Sequence, residues 1–132
     1  AYFELVRYPI QGAAMLGGVI NLDMCGLGNN TVVSLHNGAE NVFSVPSAAD
    51  VHVLKMLPPG DAYTFIGAGI PTAYVINSTD RDLSWFSEFA ETGKRPAGIP
   101  EFAYTMHRAS DTLDICNLEQ VEKICRFVNG CL

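Results

Sequence analysis

Two rhythms of apolar residues run along this chain. Val19-Ile20-Asn21-Leu22-Asp23-Met24 is nearly continuous rather than alternating and follows Gly17-Gly18, which predicts a strand over 19–24 buried on both faces. After a turn cluster at 26–30, Thr31-Val32-Val33-Ser34-Leu35-His36 predicts a second strand, ended by Asn37-Gly38. Val51-His52-Val53-Leu54-Lys55-Met56 alternates and reads as an edge or half-exposed strand closed by Pro58-Pro59-Gly60. A short helical turn fits 62–68, capped by Gly67 or Gly69, before a buried strand over 72–76. Helical spacing then takes over. Leu83, Phe86, Phe89 and Ala90 predict a helix over 82–91 with Thr92-Gly93 as its stop. Asn117 can cap a last helix, with Gln120 three residues on. Its predicted apolar stripe is Leu118, Val121, Ile124, Cys125 and Val128, and Asn129-Gly130 is its end.

Strands that are apolar throughout, interleaved with helices, imply an α/β fold: a mixed, largely parallel sheet flanked by helices, in a single domain over 1–132. The 132 residues are 48% hydrophobic and 17% charged, enough apolar material for a core and too little charge for disorder. A net charge of −6 without a Lys/Arg cluster argues against a nucleic-acid partner. No apolar run reaches the roughly 18 residues that a membrane span needs, and no signal-peptide pattern opens the chain. Tyr2 to Tyr8 reads like the end of a helix stopped by Pro9, so the chain is expected to be a piece of something longer. Cys25, Cys116, Cys125 and Cys131 show no C-x-x-C spacing. They suit either two disulfides or buried free thiols.

In such sheets ligands collect beyond the carboxyl ends of strands, and Asp23 closes the first one. A carboxylate there needs a cation, a donor set or water. It can bind a metal, or cap the backbone N–H groups of the loop that follows. His107 opens the polar loop Met106-His107-Arg108-Ala109-Ser110-Asp111-Thr112 and reads as a metal ligand or a surface side chain. Ser110-Asp111-Thr112 also suits local turns that shape the approach to the last helix. His36 and His52 read as structural or exposed.

Four segments in order resemble the zinc-dependent aminopeptidases of the M28 family over nearly the whole chain. Asn21-Leu22-Asp23-Met24 looks like that family's strand ending in a zinc-binding Asp. The stretch from Gly60-Asp61-Ala62-Tyr63-Thr64-Phe65 to Ala68-Gly69-Ile70-Pro71 resembles its Ser-Asp-His-x-x-Phe…Gly-Ile-Pro stretch. Residues 107–112 resemble its His-x-x-x-Asp-Thr loop, and 117–128 its closing helix. The resemblance implies a C-terminal half-domain acting on a peptide substrate, with Asp23 and His107 each serving one of two zinc ions. Asp61, Tyr104, Met106 and Asp111 would lie behind them or line the substrate pocket.

The family's His-x-Asp bridge and Glu-Glu pair have no counterpart in this chain, so no catalytic residue is assigned and the chain alone is expected to be inactive. Ala62 and Thr64 replace a His and a Pro. The stretch from Ile76 to His107 is longer than the family pattern. Its Trp85, Phe86 and Phe89 suit a lid, an oligomer surface or an added amphipathic helix packed on the core. A glutaminyl cyclase-like enzyme with one zinc on His107, and a non-catalytic binding or assembly module, are the alternatives. A truncated sheet also implies self-association through an exposed edge or apolar face. The family is often exported.

Overall fold

A computed structural model of the chain describes residues 17–132; the expected helix end at 2–8 lies outside the described residues. Strands β1 (Val19–Asp23), β2 (Asn30–His36), β3 (Val51–Val53) and β4 (Thr72–Ser78) form one sheet in the order β1-β4-β2-β3. The β1–β4 and β2–β3 pairs are parallel and the β2–β4 pair is antiparallel, so the sheet is mixed and mostly parallel. Helices α1 (Ala62–Gly67), α2 (Asp80–Thr92) and α3 (Leu118–Cys131) cover it.

The continuous apolar runs have a simple outcome. Successive strand residues point to opposite faces, and here both faces are covered. Val33, Ala73 and Val75 meet Ile124, Phe127 and Cys131 of α3, with Ala39 and Phe43 beside them. Val32, Tyr74 and Ile76 on the other face meet Ala62 of α1, Phe86 of α2 and Leu57. All seven residues of β4 are buried. By register, Ile20 and Leu22 share the α3 face with Ala73 and Val75, whereas Asn21 and Asp23 share the α1/α2 face with Tyr74 and Ile76. Asp23 is thereby aimed at the second of these layers.

Helix α2 begins two residues earlier than the predicted 82–91, because Thr79 caps it by accepting the Asp82 N–H at 3.2 Å. Gly93, left-handed at φ 66°, ends it by donating to the Phe89 carbonyl. Phe86 is buried and Trp85 stacks on Phe89, so this segment packs on the core. Asn117 caps α3 as expected, through the Glu119 N–H. Gln120 does not return the bond and instead donates to Asn29.

Three predicted features differ. The buried face of α3 is Gln120, Ile124, Phe127 and Cys131, whereas Leu118 is 77% exposed and Cys125 is exposed too. The helix also runs through Asn129-Gly130 to Cys131. There Gly130 serves close packing, since a Cβ on it would sit 3.0 Å from Pro46 Cγ. Strand β3 stops at Val53. The Leu54 N–H makes a last bond to Val33, and the chain then turns to bury Leu57.

The loop after β1 is fixed by side-chain amides. Asn77 accepts the Gly26 N–H at 2.9 Å and donates to the Asn30 carbonyl. Gly28 lies against the Ser78–Thr79 peptide with φ +73°, where a Cβ would collide with the Ser78 carbonyl. Gly28→Ala is expected to lower stability by at least about 2 kcal/mol, from overpacking together with a left-handed Ala. Urea unfolding midpoints of the two proteins check this.

Candidate functional site

A cavity of about 390 Å³ opens beyond the carboxyl end of β1 on the α1/α2 side of the sheet. Asp23, Asp61, Met106, His107 and Asp111 all line it, so segments more than eighty residues apart in sequence converge there. Of the residues singled out from the sequence, Tyr104 does not line it. Its side chain is 55% exposed, and its carbonyl accepts the Ser110 hydroxyl at 3.2 Å, a bond that shapes the loop. The walls are apolar: Leu57, Ile76, Phe86 and Phe102 form the deep side.

Asp23 is held from two directions. Its Oδ1 accepts the Met24 N–H at 2.8 Å, and its Oδ2 accepts the Tyr74 hydroxyl at 3.2 Å. Tyr74 is brought there by the β1–β4 register, and Gly60 leaves the space. A Cβ on Gly60 would overlap Tyr74 Oη and come within 3.3 Å of Asp23 Oδ2. Burial first, then the charge of Asp23 and the hydrogen bond to it, hold the Tyr74 phenol above its ordinary 10.0. Burial likewise pushes the Cys25 thiol up from 9.0 to about 11, with Asp23 and then Cys125 adding to the shift. Cys25 is therefore a protonated wall residue at neutral pH and no ready nucleophile.

His107 stands at the rim with an exposed side chain and a left-handed backbone, φ 60°. Met24, next to Asp23, has φ 49°. Such conformations are uncommon outside glycine and collect at functional sites. The turn reading of the loop also has support: the Asp111 N–H bonds the Arg108 carbonyl, and the Arg108 guanidinium bonds the Ala103 carbonyl.

The wall carrying Phe102 hangs on a carboxylate that sequence reasoning missed. Asp82, 3% exposed, accepts the Glu101 and Phe102 N–H groups at 2.6 and 3.0 Å. In the third position of a capped helix an acid is ordinarily expected to reach back to its own cap, and nothing local signals a reach of twenty residues. Tyr74 was missed because the apolar run around it reads simply as core. His36 and His52 lie away from the cavity, bonded to Ser34 and Asn30.

A stable zinc site takes three or four protein ligands. Among the described residues no group of three or more His, Cys, Asp or Glu side chains is gathered to hold a metal ion. Asp23 and His107 with their described neighbours therefore do not by themselves fit a resident zinc. All four cysteines are free thiols. Comparison with models of protein families, with curated proteins and with solved structures gives no match.

Raised thiol and phenol pKa values fix the sign of the alkaline response. Below pH 9.0, Cys25 is protonated in both folded and unfolded chains. Between 9.0 and about 11 the unfolded chain binds fewer protons, so stability falls as pH rises. Tyr74 acts in the same direction above 10.0. Thermal midpoints scanned upward from about pH 8 should decline, and Cys25→Ser and Tyr74→Phe should each flatten the slope. An unchanged slope in both variants would remove these groups as its source.

Proposed function

We propose that the chain is the C-terminal part of an M28-type zinc aminopeptidase domain. In this reading it shapes the pocket for a peptide N-terminus and presents Asp23 and His107 toward metal ligands that it does not itself carry. One observation carries the reading. The carboxylate at the end of β1, the imidazole of the 106–112 loop, and Asp61 and Asp111 meet in one apolar-walled cavity beyond a strand's carboxyl end, where α/β folds place their sites. Two zinc ions would belong to the parent domain, and the general base would come from outside the described residues.

The purified chain is expected to hydrolyse no aminoacyl-p-nitroanilide above background, with or without added zinc. Calorimetric titration should show zinc binding well short of the roughly 10 kcal/mol of structural zinc sites. His107→Ala and Asp23→Asn should each weaken it further. Zinc binding indifferent to both substitutions would overturn the assignment of these ligands.

A second reading, a non-catalytic α/β module that binds its ligand in the same cavity, is favoured by the engagement of both Asp23 oxygens by protein donors. Tyr74→Phe distinguishes the two. It should cost a binding module its carboxylate geometry, whereas in the metal reading it should raise zinc affinity by freeing a lone pair.

Self-association belongs to either reading. β1 is an edge strand among the described residues, and its Leu22 is 44% exposed. Sedimentation velocity should give a mass that rises with concentration, and Leu22→Lys should suppress the rise. A monomer throughout the range would count against it.

A further inference from the structure

The motif Asn-x-Ser/Thr, with x other than Pro, occurs twice in this chain, as Asn29-Asn30-Thr31 and Asn77-Ser78-Thr79. It is the acceptor pattern for transfer of a glycan to an asparagine amide, and a folded protein carries the product on its surface. The sheet sets the two copies side by side: the antiparallel register pairs Asn30 with Ser78 and Thr31 with Asn77. The acceptor asparagines end up in opposite settings. Asn77 is 2% exposed, its Oδ1 accepts the Gly26 N–H, and its Nδ2 donates to the Asn30 carbonyl at 3.3 Å. A sugar on that nitrogen would need space that the packed interior fills. Asn29 is exposed, at the end of the loop after β1. Its Oδ1 accepts the Gln120 amide at 3.2 Å, and among the described residues nothing engages its Nδ2. Glycosylation leaves the amide oxygen in place, so the bond that holds this side chain to α3 survives the modification.

We infer that Asn29 is an N-glycan acceptor site and that folding keeps Asn77 unmodified. The Asn29 amide nitrogen attacks the anomeric carbon of a lipid-diphosphate-linked oligosaccharide. A C–N bond forms and the C–O bond to the diphosphate breaks, its electron pair leaving on the lipid diphosphate. One amide proton passes to a base of the transferase, and nothing is oxidised or reduced. Thr31, whose hydroxyl completes the motif, is 5% exposed within β2, so transfer precedes closure of the sheet. Chain order separates the two motifs. Strand β2 waits for β3 and β4, which are both made later, whereas Asn77 arrives in β4 when its partners β1 and β2 already exist. The site commits the chain to a compartment that holds this donor and its transferase. It is independent of any metal, so its failure and the failure of the peptidase reading are separate events.

The experiment directs the full chain into the secretory route of cultured animal cells with a cleavable leader, and limited proteolysis then selects the folded fraction. Peptide-N-glycosidase in heavy-oxygen water converts each occupied asparagine to a labelled aspartate, and peptide mapping locates the label. Label at position 29 is expected in the total and in the protease-resistant chain, with none at position 77 in the resistant chain. Thr31→Val, which keeps a β-branched residue in the strand, should abolish the label at 29, and Thr31→Ser should retain it. Because both variants are also read on the total chain, a loss of folding cannot imitate a loss of the site. An unlabelled Asn29 in the unsubstituted chain, a label at 77 in the resistant fraction, or a label at 29 that persists in Thr31→Val would each overturn the assignment.

Discussion

Strand β4 is the constraint on which the rest of the molecule depends. It pairs with β1 on one side and β2 on the other, and both its faces are covered, so none of its seven residues reaches solvent. Its outer partners inherit their orientation from it. Parallel register with β1 decides that Asp23 faces the same layer as Tyr74 and Ile76. Antiparallel register with β2 brings Asn77 beside Asn30. A one-residue slip would turn every side chain of β1 over and carry Asp23 to the α3 face. The location of the cavity is thus a statement about strand pairing before it is one about loops.

Buried polar groups then convert the sheet into a site. Asn77 fixes the loop behind Asp23, Tyr74 fixes its carboxylate, and Asp82 fixes the wall opposite. Each satisfies donors or acceptors that would otherwise be stranded in a low-dielectric interior, where an unmade bond is costly. Their geometry is correspondingly specific. The rim that carries His107 is built differently, from turns and exposed side chains.

Strand identity was legible from the sequence because continuous apolar runs have few other uses. Thr72–Ser78 and Val19–Asp23 lie close to where the pattern places them. The convergence of Asp23 with the 106–112 loop followed from motif order and the rule that sites lie beyond strand ends. The face of α3 was misjudged because two apolar stripes compete on it. Leu118 and Cys125 complete one at helical spacing, yet Phe127 carries more area and takes the core. Tyr74 and Asp82 were illegible for a deeper reason. Their partners lie 51, 19 and 20 residues away, and only the assembled fold makes them neighbours.

The carboxylate of Asp82 has one more implication. Residues 94–117 hold no long helix or strand, and they are anchored near one end at Asp82 and at the other by the bond between Asn117 and Gly26. A span suspended in this way forms its own cooperative unit, opening at lower free energy than the sheet beneath it. Amide exchange would therefore divide the cavity along its seam. The side built by β1 and β4 keeps its protons for as long as the protein stays folded, whereas the side bearing Met106 and His107 trades them with solvent while the sheet remains closed.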